Sequence, residues 1–170
     1  ITKATLTATS QSTSREYGDA DPGFTFSYSG FRNAETSAVI DTLASGATSS
    51  TATSAAGTTY TITGSGALDN NYTFTYNDTG ILTITKATVT ATTQSVSREY
   101  GLANPALTIA YTGFKNGEDE SVLDTQAIAT TGGNIFSDVG SYAITGAGAA
   151  DNNYNITYVK GTLTVTKGSI

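Results

Sequence analysis

Residues 1–42 and 84–125 align without a gap, and 26 of the 42 positions are identical. Ser14-Arg-Glu-Tyr-Gly18 returns as Ser97-Arg-Glu-Tyr-Gly101, and Tyr28-Ser-Gly-Phe31 returns as Tyr111-Thr-Gly-Phe114. Further on, Asp69-Asn-Asn-Tyr72 returns as Asp151-Asn-Asn-Tyr154 at an offset of 82, and Leu82-Thr-Ile-Thr-Lys86 as Leu163-Thr-Val-Thr-Lys167 at 81. One residue is lost between 42 and 60 and another after Tyr76. Loops absorb such losses. A repeat of about 80 residues is too long for a solenoid unit and long enough for a small domain with its own core. The expected organisation is two tandem repeats, 1–85 and 86–168, with 169–170 as a tail or the start of a further copy. The sequence is expected to be a mature piece of a longer array.

What the repeat is made of excludes most chemistry. There is no His, Cys, Met or Trp among the 170 residues. A Ser–His–Asp or Cys–His nucleophile, a His–Cys metal site and a disulfide are therefore all ruled out. The net charge is −6, from eight basic and fourteen acidic residues with no basic run, which disfavours nucleic acid. No apolar run approaches the roughly 18 residues of a membrane helix, so no membrane insertion is expected. The reading is of a non-enzyme without a cofactor, and of a monomer.

Thr supplies 34 residues and Ser 17, a composition that in a chain lacking apolar periodicity would mean a disordered stalk. Here the apolar residues alternate in short runs between Gly, Asn and Asp, the pattern of half-buried strands. Expected strands in the first copy are Lys3–Thr9, Phe24–Tyr28, an edge strand over Ala47–Ser54, Thr58–Thr63, Tyr72–Tyr76 and Ile81–Thr85. Ala34–Ile40 reads as one or two helical turns, because its counterpart, Gly117–Asp124, opens with acids and ends apolar. Tyr76–Gly80 has the composition of a hairpin turn. The expected fold class is mainly β: two tandem β-rich modules, β-grasp-like with a short helical segment, or alternatively an immunoglobulin-like sandwich.

The joint carries a second signal. Apolar residues fall on even numbers at Leu82 and Ile84, then on odd numbers at Ala87, Val89 and Ala91. Side chains alternate faces along a strand, so the phase switch at Lys86–Ala87 marks a passage from one core to another. No Gly, Pro or flexible linker intervenes. A joint of this kind is short and stiff, and requires the first and last strands of each module to run parallel.

Candidate sites are few. Arg15-Glu16-Tyr17-Gly18 and Arg98-Glu99-Tyr100-Gly101 are the sharpest motif. One reading is a carbohydrate site with stacking Tyr. The favoured one is a structural corner in which Gly turns the chain, Tyr packs and the charges tie the loop down. Asp69, Asp78 and Asp151 are oxygen ligands of a type that suits Ca²⁺, but their spacing matches no EF-hand and Asx residues also serve turns. Glu118 and Glu120 suggest an acid–base pair, yet the position of Glu120 is Ser37 in the first copy. The aromatics Phe24, Phe26, Tyr60, Tyr72 and Tyr76 are expected in the core.

The residues Ile84–Ala87, Arg98–Gly101 with Asn104-Pro105, Tyr111–Phe114, Asn116–Leu123, Gly140–Ile144 and Asn153–Ile156 together resemble the MBG domain of the YGX type. The first copy departs at Asn33-Ala-Glu-Thr-Ser-Ala38, and at Thr58-Thr-Tyr60. The resemblance implies a non-catalytic repeat of a large bacterial surface adhesin, extracellular, with neighbouring repeats as its partners. A module that binds a glycan, mucin or other host-surface ligand is the alternative.

Overall fold

The structure, a computed structural model, describes residues 2–168. The expectation for 169–170 lies outside the described residues. The chain divides between Thr85 and Lys86 into two compact units.

The first unit contains β1 (Ala4–Ser10), β2 (Thr13–Glu16), β3 (Phe26–Ser29), β4 (Ser45–Ala47), β5 (Thr59–Thr61), β6 (Thr63–Ser65), β7 (Tyr72–Asn77) and β8 (Ile81–Thr85). β1 lies between β3, antiparallel, and β7, parallel. β8 lies between β2, parallel, and β5, antiparallel, while β4 pairs with β6. The second unit contains β9 (Ala87–Thr93), β10 (Val96–Glu99), β11 (Ile109–Thr112), β12 (Ile128–Thr131), β13 (Gly140–Ala147), β14 (Tyr154–Val159) and β15 (Gly161–Thr166). Its sheets are β11-β9-β14 and β10-β15-β13-β12. The continuous β13 replaces the interrupted pair β5 and β6, whose break falls at Ile62.

The fold is mainly β, and the short helical segment is a single 3-10 turn in each unit, Ser37–Val39 and Glu120–Val122. Each turn is capped by an oxygen: Thr36 Oγ1 accepts from the Ala38 N–H, and Asp119 Oδ1 accepts from the Ser121 N–H. Bonds from the Ser121 side chain and from its N–H hold the Asp119 carboxyl below its ordinary pKa. The edge strand expected over Ala47–Ser54 is not formed, and β4 reaches it only at Ala47. Only Ser45–Ala47 pairs, and the residues to Ser54 form a loop with another use, described below.

The expected hairpin at Tyr76–Gly80 is not formed. β7 belongs to the β1 sheet and β8 to the β2 sheet, so the turn carries the chain from one sheet to the other. The Ser10–Thr13 segment makes the same crossing beside it. The two crossings are clasped by one hydroxyl: buried Ser10 Oγ accepts from the Gly80 N–H at 2.8 Å. A Cβ on Gly80 would lie 2.7 Å from the Ser10 carbonyl carbon, so only glycine permits this approach. In the second unit the hydroxyl of buried Thr93 accepts from the Gly161 N–H and donates to the carbonyl of Ile144 or Val159 (3.0 and 3.1 Å).

The core follows the alternation read from the sequence. Leu6, Ile40 and Tyr72 form a buried cluster in the first unit, joined by Ala4, Tyr28, Phe31 and Phe74. Ile144, Leu163 and Val165 do so in the second, with Val96, Leu107, Ala129 and Tyr142. Burying a side chain such as Leu6 contributes roughly 1.5–3 kcal/mol. Leu82 and Ile84 are buried before the joint, and Ala87, Val89 and Ala91 after it, so the phase switch is real. Thr takes the opposite face, where its hydroxyls pair across the parallel strands: Thr5 with Thr73, Thr7 with Thr75, Thr90 with Thr157.

Candidate functional site

The Arg-Glu-Tyr-Gly motif begins on β2 and β10, where alternation turns Arg inward and Glu outward. Arg15 and Arg98 are each only 7% exposed, which makes them the buried cations of the two units. A buried guanidinium needs its donors satisfied. Arg15 Nε donates to Asp21 Oδ1 at 2.6 Å, Nη2 to the Thr51 carbonyl at 2.7 Å and Nη1 to the Glu16 carbonyl at 3.2 Å. Arg98 repeats the pattern on the Asn104 side chain at 2.7 Å, the Asn134 carbonyl and the Glu99 carbonyl at 3.1 Å. Each Arg thus pins the loop after its own strand to a second loop about 36 residues on. That second loop is the segment read as an edge strand.

The anchor itself differs between the copies. Asp21 also accepts from the hydroxyls of Thr48 and Ser50, at 2.7–2.8 Å. Partial burial works to raise the Asp21 carboxyl, but the bonds from Thr48, Ser50 and Arg15, with the Arg15 charge, outweigh it and hold the carboxyl below its ordinary value. In the second unit Asn104 is neutral and uses its amide to donate to the Gly133 carbonyl at 2.7 Å. The motif charges were expected to tie the loop, and the Arg of each copy does so. Its side-chain anchors are Asp21 and Asn104, six residues past each Arg, while Glu16 and Glu99 contribute main-chain carbonyls. The identical six-residue spacing in both copies was the available signal.

Gly18 and Gly101 have φ of 83° and 84°, a region open to glycine. Tyr17 is buried at 4% exposure, whereas Tyr100 is 50% exposed. The Tyr is therefore not what the two corners share; the Arg clamp and the glycine turn are.

The aspartates weighed as Ca²⁺ ligands lie in turns. Asp69 Oδ1 accepts from the N–H groups of Asn71 and Tyr72 at 2.6 and 3.0 Å, and Asp151 Oδ1 from those of Asn153 and Tyr154 at the same distances. Asp78 Oδ1 accepts from the Gly64 N–H at 2.9 Å. Among the described residues no three acidic side chains come together in a cluster able to hold a metal ion. The joint lysine, Lys86, reaches one of these turns: its Nζ donates to the Asp151 carbonyl at 2.7 Å, as Lys3 does to the Asp69 carbonyl at 2.9 Å. Ala87, next to it, is fully buried.

Glu118 and Glu120 do not form a pair for acid–base work. Glu118 Oε2 accepts from the Tyr154 hydroxyl at 2.6 Å, and Glu120 opens the 3-10 turn. Glu35 and Tyr72 make the matching bond at 2.5 Å in the first unit, which pushes the Tyr72 phenol above its ordinary pKa, while a bond from the Arg32 N–H opposes the shift. Sequence reasoning did not assign this pair. Other tyrosines act likewise as pegs, with rings against the core and hydroxyls accepting from loop N–H groups: Tyr28 from Ala44, Tyr76 from Ala67 and Tyr111 from Ala127. Such a residue buries its ring and satisfies its polar tip on the main chain.

The geometry is that of clamps, caps and pegs. A family model described as MBG domain (YGX type) matches residues 5–83 and again 87–164. No curated protein and no solved structure matches the chain. Tandem MBG domains are structural repeats and point to a repeat region of a surface protein. The two matches take in nearly all of both units, and the chain belongs to the MBG domain (YGX type) family as two tandem copies.

Proposed function

We propose that this chain is a non-catalytic spacer segment of a bacterial cell-surface adhesin, an extracellular stalk that holds a distal binding domain away from the cell. The observation that carries the reading is the joint. β8 ends at Thr85 and β9 begins at Ala87, leaving Lys86 alone between two strands with separate cores. A one-residue connection between strands has little of the freedom of a Gly/Ser tether. Repetition of a whole β unit adds length without adding new chemistry, and Arg15, Arg98, Asp69 and Asp151 are spent inside each unit on loops and turns. The partners in this role are the neighbouring repeats of the same chain, no cofactor is needed, and the segment works as a monomer.

Small-angle scattering tests the spacer. A compact particle of 170 residues has a radius of gyration of about 15 Å, and a stiff tandem pair exceeds it clearly, at roughly 20 Å or more. Four Gly/Ser residues inserted after Lys86 are expected to broaden the distance distribution. A radius near that of the compact particle, or a profile unchanged by the insertion, overturns the proposal.

A further inference from the structure

The first unit carries a groove that the clamps and pegs do not use. It is an open cavity of about 550 Å³ whose lining includes Lys3, Arg32, Asn33, Glu35, Asn71 and Tyr72. That volume falls within the range typical of small-ligand sites. The lining is polar in an unspent way. The side chains of Arg32, Asn33 and Asn71 are exposed and have no hydrogen-bond or ionic partner among the described residues. Lys3 spends one of its three donors, on the Asp69 carbonyl. The Tyr72 hydroxyl is held by Glu35 and by the Arg32 N–H, which fixes the floor.

The rim is strained as well. Asn33 and Ala34 have φ of 53° and 58°, in the left-handed region, and Ala34 stands where the second unit has Gly117. An alanine tolerates that conformation less well than a glycine. In the second unit Lys115, Asn116 and Gly117 stand in place of Arg32, Asn33 and Ala34, so the guanidinium belongs to the first copy.

The chemistry of the lining selects a ligand class. Two of the chain's eight cations face one groove of a protein whose net charge is −6. A guanidinium with free donors matches a carboxylate in bidentate fashion. Side-chain amides both donate and accept, as vicinal hydroxyls require, and Glu35 has acceptor capacity left for a ligand hydroxyl. We infer that this groove binds a carboxylate-bearing sugar of the uronic-acid type, its carboxylate on Arg32 and Lys3 and its hydroxyls on Asn33, Asn71 and Glu35.

The test is an amide-resolved NMR titration of the 170-residue chain with a galacturonic-acid trimer, with a neutral galactose trimer and acetate as controls. Saturable shifts are expected at residues 32–35 and 70–72, with a Kd of roughly millimolar order and about tenfold weaker binding of the neutral trimer. Arg32→Ala is expected to weaken the acidic trimer about tenfold and leave the neutral one unchanged. Asn71→Ala, at a second exposed side chain, is expected to weaken both. Unchanged amide positions outside the groove verify that each variant is folded. No saturable shift, equal affinity for the two trimers, the same shifts from acetate, or indifference to both substitutions overturns the inference.

Discussion

Replacing Asp21 by Ala removes the anchor of the first clamp and leaves the second untouched, so one molecule carries both experiment and control. The Arg15 side chain is 4% exposed and that of Asp21 26%. Loss of the carboxylate strands a buried guanidinium that keeps its bonds to the carbonyls of Glu16 and Thr51. One charge-assisted bond is worth about 1.5–3 kcal/mol, and the hydroxyls of Thr48 and Ser50 can turn to water at little cost. The half-open position of Asp21 discounts the charge component. The net expectation is a loss of about 2 kcal/mol in the first unit, or roughly 8–16 °C in its melting temperature.

Asp21→Asn copies the arrangement already present at Arg98 and Asn104, where a neutral oxygen accepts at 2.7 Å. It keeps the Nε bond and costs about 1 kcal/mol or less. Hydrogen exchange read by mass spectrometry separates the units: peptides covering 13–16 and 81–85 lose protection in the order Ala, then Asn, then wild type. Peptides covering 96–99 and 161–166 hold theirs. The pH dependence follows from the lowered Asp21 pKa. A carboxyl depressed in the folded state stabilises above its unfolded pKa, about 4, and that contribution is lost as pH falls through the lower folded value. The first unit should therefore lose protection in acid, and Asp21→Asn should remove that share of the loss. Equal effects of Ala and Asn, or a matching loss in the second unit, refute the clamp.

Other expectations concern single features. Gly80→Ala places a methyl 2.7 Å from the Ser10 carbonyl carbon and should destabilise the first unit by about 2 kcal/mol or more, visible as a lowered urea midpoint. Ser10→Ala removes the clasp on the Gly80 N–H and should cost about 1–2 kcal/mol by the same assay. In a spectrophotometric titration of the phenols, Tyr72→Phe should remove a tyrosine that ionises above the ordinary range, because Glu35 accepts its proton's bond. Adding Ca²⁺ or EDTA should leave the thermal transition in place, since Asp69, Asp78 and Asp151 each spend one oxygen on main-chain N–H groups and belong to no acidic cluster among the described residues.

Much of this architecture was legible because it is local and repeated. Alternation placed Leu6, Ala8, Leu82 and Ile84 in cores, and the phase switch at Lys86 located the joint. The composition of the segment before Asp124 announced the helical turn. Features that depend on distant partners were not legible. Tyr76–Gly80 has hairpin residues, but whether the flanking strands pair with each other or with β1 and β2 is decided elsewhere in the chain. The anchor of the clamp was not legible for a simpler reason. Arg15 and Glu16 are adjacent and so point to opposite faces of β2; the inward Arg could only meet a group brought round by the turn at Gly18. The groove residues Arg32 and Asn71 are 39 positions apart, and no local pattern links them.

The paired sheet crossing has a mechanical consequence. The chain enters the first unit at the start of the β1–β7 ladder and leaves it at the end of the β2–β8 ladder, and both ladders are parallel. Tension between Ala4 and Thr85 therefore runs along these strands and loads their hydrogen bonds in shear, all together. A hairpin pulled from its open end would instead unzip, losing its bonds in succession. The Ser10–Gly80 clasp sits where the two ladders meet and shares that load.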